Sequence, residues 1–185
     1  MHGRAVIIRA AALRPRPWPN GLGTTRDVAE GEGWLISIAD LGGEAAFSHF
    51  GGTDRVFTLI GGAGATLTLD GETQIPCRPF VPACFPGDRP AHYRPGGGPA
   101  RAFNVFAERA RCAPWVAVQS VAAGHGLEVA EATTAVHCAE GVLEAGDARL
   151  EAGDTILHPG ATRFRAAGGA ALAILVALRP ASQGG

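Results

Sequence analysis

Arg55 stands immediately before an apolar run, Val56-Phe57-Thr58-Leu59-Ile60. Side chains of an extended chain alternate between two faces, so Arg55 shares a face with Phe57 and Leu59. If that face lines a barrel, a guanidinium lies among apolar groups. It then needs an anionic partner, from Asp54, Asp40 or a ligand. The competing view is a rim arginine paired with a surface carboxylate. Asn104, within Phe103-Asn104-Val105-Phe106, poses the same question, because a buried amide must find hydrogen-bond partners. A third polar cluster is the segment WPNGLGTTRD at Trp18–Asp27. Gly21 and Gly23 permit sharp turns and leave N–H groups exposed. Asn20, Thr24, Thr25 and Arg26 add hydrogen-bonding side chains within a few residues. Together these groups suit the capture of a small carboxylate; they also suit an ordinary tight turn into a strand.

Other chemistries lack their residues. The histidines, at positions 2, 49, 92, 125, 137 and 158, form neither HxH nor HxxxH, and each reads as a surface or capped histidine. A metal site would need distant residues such as His49 and His92 to converge, so none is expected. There is no GxSxG motif, and Ser37, Ser48, Ser120 and Ser182 show no triad pattern. All 16 Lys or Arg residues are arginine, which removes Schiff-base and P-loop lysine chemistry. No cofactor is expected. Cys77, Cys84, Cys112 and Cys138 form no CxxC pair and read as reduced, buried small residues.

The elements that must position these groups are strands. The chain has 185 residues, with 27 Gly and 13 Pro, a composition that turns often and favours sandwiches or barrels. Expected strands include Ala5–Arg9, Trp34–Asp40, Arg55–Ile60, Ala65–Leu69, Arg101–Glu108 and Trp115–Val121. Asp70-Gly71 after the alternating ATLTL run marks a hairpin. The apolar end AALAILVAL has poor helical periodicity and reads as a buried strand. The fold expected is all-β, with two barrel-like units in one compact body and little helix.

A weak internal repeat supports two units. VFTLIGG (56–62) resembles VHCAEGV (136–142), FPGD (85–88) resembles EAGD (151–154), and FNVFAER (103–109) resembles AILVALR (173–179). In this alignment Thr134-Ala135 replace Asp54-Arg55, and Ile174 replaces Asn104. The polar site therefore belongs to the first copy. The expected division is 1–110 for the site-bearing unit and 111–185 for the second, with the N-terminal strand available to pair with the latter.

The net charge of −1 offers no field for phosphate backbones, and 6% aromatic residues give few stacking platforms, so no nucleic acid is expected. The apolar stretch near the N-terminus is short and broken by Arg9, which predicts no membrane span or export signal and a cytoplasmic location.

These motifs resemble the HutD/Ves family of cupin-like proteins. The resemblance rests on WPNGLGTTRD (18–27), ISIAD (36–40), FSHFGGTDR (47–55), LIGGAG (59–64), FPGD (85–88) and FNVFAER (103–109), in that order. It implies a bicupin, two β-barrels of jelly-roll type, without the usual cupin metal ligands. It also implies a regulator or limiter of histidine utilisation that binds formylglutamate, urocanate or formate. Leu22 and Ala102 depart from the family pattern, where Gly and Asp are usual.

The binding expectation is thus a small carboxylate metabolite held by Arg55, with Asn104, Asn20, Thr24, Thr25, Arg26, Asp54 and His49 around it. Two alternatives stand beside it. One is a metal-independent enzyme on a histidine-degradation intermediate, with Asp40, Asp54 or His49 as acid–base group. The other is an interaction or oligomerisation module with a vestigial pocket, a homodimer formed through edge strands and the Arg14–Pro19 arm.

Overall fold

A computed structural model describes residues 5–181; His2 and Ser182 lie outside the described residues. The chain divides into two compact units. One comprises Arg14–Pro114 with the C-terminal residues from Arg179. The other comprises Trp115–Leu178 with the N-terminal residues up to Leu13. The fold is all-β, and a single 3-10 turn at Ala10–Ala12 is the helical content among the described residues. No described helix is long and apolar enough to cross a membrane.

The strands are, in chain order, β1 (Val6–Ile8), β2 (Arg16–Pro17), β3 (Gly23–Gly31), β4 (Trp34–Leu41), β5 (Ala45–Ala46), β6 (Thr53–Gly61), β7 (Ala65–Leu69), β8 (Thr73–Cys77), β9 (Ala83–Pro86), β10 (Ala91–Pro95) and β11 (Ala100–Glu108). They continue with β12 (Cys112–Val121), β13 (Gly126–Val129), β14 (Ala135–Glu140), β15 (Val142–Ala145), β16 (Ala148–Glu151), β17 (Thr155–Leu157), β18 (Thr162–Ala166) and β19 (Ala171–Pro180).

The Arg14–Pro114 unit has a six-stranded sheet, β2-β3-β4-β11-β6-β9, and a four-stranded sheet, β5-β10-β7-β8. Alternation decides what each strand buries. On β7, Ala65, Leu67 and Leu69 are buried while Thr66 and Thr68 are partly exposed. Asp70 and Gly71 then take φ of 53° and 75°, and Glu72 N–H donates to Leu69 C=O, so the turn to β8 has the left-handed pair a tight hairpin needs. Leu41, Phe57, Leu59, Leu67, Tyr93 and Ala102 form the core, and Trp18 and Phe47 pack at its margin.

The other unit has sheets β1-β17-β14-β19-β12 and β13-β18-β15-β16. Its core gathers Val136, Cys138, Leu143, Leu150, Phe164 and Leu175. The apolar AALAILVAL end is strand β19, paired with β14. Strand β1 pairs with β17, and the Asp154 carboxylate fixes this edge by accepting from Ala10 N–H and from Arg9 Nη1.

The sheets of the two units share a strand succession: β4-β11-β6-β9 answers to β12-β19-β14-β17, and β5-β10-β7-β8 to β13-β18-β15-β16. Gly62 and Gly141 fix the register. Both have positive φ, and an added Cβ would lie 2.8 Å from Ala100 Cβ in one case and 3.1 Å from Ala171 Cβ in the other. Counting from these pairs matches Phe57 with Val136, Leu59 with Cys138, and Ala102 with Ala173, all core residues. The repeat alignment read from sequence is therefore one residue out of register. Thr134, not Ala135, answers to Arg55, and Leu175, not Ile174, answers to Asn104. A slip of one residue puts every side chain on the wrong face. The FPGD–EAGD match also fails: Gly87-Asp88 follow β9, whereas Gly153-Asp154 precede its counterpart β17. Two further expectations are corrected. Cys84 is exposed, because it alternates outward on the edge strand β9, although all four cysteines are free. Of the two readings for a histidine, surface or capped, His137 overturns the first: it is fully buried on β14, with Nδ1 in hydrogen-bond contact with Thr155 Oγ1.

Candidate functional site

Arg55 reaches the interior by alternation on β6, with Phe57 and Leu59 on the same side. It is only 6% exposed. Four phenyl rings surround its guanidinium, with Cζ at 4.7 Å from the Phe106 centroid, 4.8 Å from Phe47, 5.1 Å from Phe85 and 5.5 Å from Phe50. Such contacts attract a cation to the ring faces, but they do not neutralise it. Nε is buried and has no hydrogen-bond partner. Desolvation pushes the pKa of Arg55 down to about 10, so the group remains a cation at neutral pH.

The carboxylates expected to neutralise it are engaged elsewhere. Asp54 alternates to the other face of β6, where its Oδ1 accepts from Arg109 at 2.8 Å. Arg109 also binds Asp88. Asp40 holds Arg26 and, at 2.7 Å, Arg101. Burial raises the Asp40 pKa, but the hydrogen bonds from Arg26 and Arg101 outweigh it and leave the carboxyl below its ordinary range. Among the described residues, no carboxylate pairs with Arg55.

A cavity of about 330 Å³ opens beside this guanidinium. Of the residues singled out from sequence, Arg55, Asn104, Asn20 and Thr25 line it. Asn104 is 5% exposed and its amide Nδ2 reaches only Ala102 C=O, at 3.5 Å, which leaves its polar capacity toward the cavity largely unused. Thr25 Oγ1 accepts from Trp18 Nε1 at 2.7 Å, which pins the loop to β3. Asn20 Oδ1 accepts from Leu22 N–H at 3.0 Å, so this side chain shapes the turn as well as facing the cavity.

Thr24, Arg26, Asp54 and His49 are not among the lining residues. The period of two explains the first pair: Thr25 and Asp27 point in, so Thr24 and Arg26 point out, and both bind Asp40. His49 is exposed in the segment between β5 and β6. The acid–base candidates Asp40 and Asp54 therefore face away from Arg55. Sequence reasoning missed Ser37, Asp27, Arg16 and the aromatic collar. The collar was partly legible, since Phe106 stands two residues after Asn104 and so shares its face. Among the described residues, no three His, Cys, Asp or Glu side chains gather as metal ligands.

The arrangement is a single buried cation at the wall of a partly apolar cavity, flanked by an under-used amide. Chemically it can accept an anion at the guanidinium and orient it through Asn104.

Comparison with known proteins places this chain in a family. The HutD family model matches residues 10–175. An uncharacterized 21.2 kDa protein in the hutC 3' region of Pseudomonas putida is 34% identical over 107 residues, which is 54% of this chain and 56% of that protein. The chain thus spans little more than half the length of that relative. A conserved protein of unknown function from Pseudomonas aeruginosa superposes with TM-score 0.85 at 26% identity, over 96% of this chain and 99% of the other. HutD from Pseudomonas fluorescens, in a formate condition, gives 0.77 at 28% identity over the same shares, 96% and 99%. A cupin 2 conserved barrel domain protein from Leptotrichia buccalis gives 0.60 at 10% identity, over 85% and 89%, which identifies the fold as cupin-like. The chain belongs to the HutD family.

Proposed function

We propose that the cavity beside Arg55 binds a small carboxylate metabolite, and that the protein is a metal-independent bicupin which limits or regulates histidine utilisation. One observation carries the binding claim: Arg55 is 6% exposed, has a buried Nε without a partner, and has no counter-ion among the described residues. A buried, unpaired cation is costly, and a ligand carboxylate is the group that relieves it. A planar carboxylate meets a guanidinium through two parallel hydrogen bonds. Asn104 and Thr25, which also line the cavity, supply orientation. The physiological part draws on relatives: one is encoded in a hutC 3' region, and another is a HutD whose structure is of a formate condition. Formylglutamate, urocanate and formate are the candidates.

The test is thermal stabilisation by these three compounds in wild type and Arg55→Ala. A ligand held at 100 times its Kd stabilises the fold by about 2.7 kcal/mol, enough for a shift of several degrees. Wild type should shift with at least one compound and Arg55→Ala should not. A wild type unmoved by all three, or an Arg55→Ala protein that responds equally, removes the proposal.

A further inference from the structure

An anchor for one carboxylate does not specify the far end of its ligand. The polar residues of the cavity are ordered in a way that does. Asp27 pairs with Ser37 across β3 and β4, and Ser37 pairs with Asn104 across β4 and β11. All three line the same cavity as Arg55. Adjacent strands lie about 4.8 Å apart, so this rung runs roughly 10 Å from Asn104 out to Asp27. Arg55 stands beyond Asn104, on β6. The cavity therefore has the Arg55 cation at one end, the Asp27 carboxylate with its partner Arg16 at the other, and neutral hydrogen-bonding groups between.

Exposure follows the same axis. Arg55, Asn104 and Ser37 are 6%, 5% and 2% exposed, whereas the Asp27 side chain is 47% exposed at the mouth. Asp27 binds Arg16 at 3.0 Å, and Arg16 is itself 67% exposed. An ion pair that open is weak, so it yields readily to a better partner. A ligand anchored on Arg55 that carried a second carboxylate would turn it toward Asp27, where like charges repel. An ammonium, imidazolium or N–H group would meet an acceptor instead.

Resting on the carboxylate-anchoring role of Arg55, we infer that Asp27 is a specificity-determining residue of this cavity. It favours monocarboxylates that carry a cationic or N–H-donating group remote from the carboxylate, and it disfavours dicarboxylates. Arg16 holds Asp27 in place in the empty cavity and is displaced by the ligand.

Pentanoate, glutarate and 5-aminopentanoate share a five-carbon chain and differ in the charge at the far end. Titrating each by calorimetry into wild type, Asp27→Asn, Arg16→Gln and Arg55→Ala tests the inference. Wild type should bind 5-aminopentanoate about tenfold tighter than glutarate, with pentanoate between, as expected for one charge contact. Asp27→Asn should shrink the ratio to about threefold or less, and Arg16→Gln should widen it. If glutarate binds wild type as well as 5-aminopentanoate does, the inference fails, as it would were Arg16 to swing onto the second carboxylate. A ranking unchanged in Asp27→Asn also overturns it. Failure of the underlying anchor has a different signature: no compound binds wild type, or Arg55→Ala binds all three undiminished.

Discussion

A guanidinium in an aromatic collar, without a counter-ion, is a stability cost. Arg55 is buried among four rings without a counter-ion, and replacing buried charge by well-packed apolar volume is often neutral or stabilising by about 1–4 kcal/mol. Methionine suits the space, being unbranched, flexible and favourable against phenyl edges. Arg55→Met should therefore raise the unfolding free energy of the unliganded protein by roughly 1 kcal/mol or more, and with it the midpoint, while abolishing carboxylate stabilisation. Differential scanning calorimetry checks it, and a destabilised variant would mean that the rings compensate the charge in full. The second residue of this kind was invisible in sequence. Nothing around Val136-His137-Cys138 distinguishes a buried imidazole from an exposed one, because the face is set by register. His137 is fully buried, with Nδ1 2.9 Å from Thr155 Oγ1. Burial holds its pKa down at about 4, against a smaller opposing pull from Asp154. An unfolded histidine titrates near 6.5, so between these values the unfolded chain takes up a proton that the fold refuses. Stability should fall as pH drops from 6.5 toward 4. The lowered carboxyls of Asp40 and Asp154 add their loss only at still lower pH. Urea midpoints at pH 7, 5.5 and 4.5 should decline for wild type and flatten in His137→Gln; a flat wild-type series contradicts this.

At the scale of elements, strands were legible wherever alternation was strong. Ala65–Leu69 shows it, with its Asp-Gly turn, and so does Arg55–Ile60, which the structure extends to Thr53–Gly61. The register between the two halves was not legible. Matching Val56 to Val136 gains an identity, but the turns are set by backbone conformation, and the glycines carry that. Gly62 has φ of 99° and Gly141 has φ of 74°, and each approaches the opening alanine of the neighbouring strand too closely for a Cβ. Gly124 and Gly168 also have positive φ, at 73° and 72°, but face open space. The two classes separate conformation from crowding. Alanine at Gly124 or Gly168 should cost about 1 kcal/mol from φ alone. Alanine at Gly62 or Gly141 adds a clash and should cost about 2–4 kcal/mol. Denaturant unfolding of the four variants distinguishes them, and equal losses would show that the close approach is relieved by a small backbone shift.

At the scale of the whole molecule, two units of similar strand order have unequal chemistry. Every residue that lines the Arg55 cavity falls between Arg16 and Phe106. In the other unit the positions of Arg55 and Asn104 are held by Thr134 and Leu175. Thr134 Oγ1 is consumed locally by accepting from Leu178 N–H at 3.1 Å, and Leu175 belongs to the apolar core. With the register one step out, sequence reading still gave an apolar counterpart for Asn104, since Ile174 and Leu175 are both apolar, but it hid the buried hydroxyl of Thr134 behind Ala135. A ligand should therefore alter local opening in one unit only. Hydrogen exchange at short labelling times reports such local opening, before whole-unit unfolding contributes. With saturating urocanate, amides of residues 23–41, Thr53–Gly61 and Ala100–Glu108 should exchange more slowly, because a ligand held in the Arg55 cavity would touch β3, β4, β6 and β11. Amides of Gly126–Val129 and Val142–Glu151 should not change. Equal protection in both regions would mean that opening of the cavity requires opening of the entire chain. Protection confined to the second would put the ligand in a unit where no arginine is buried among the described residues.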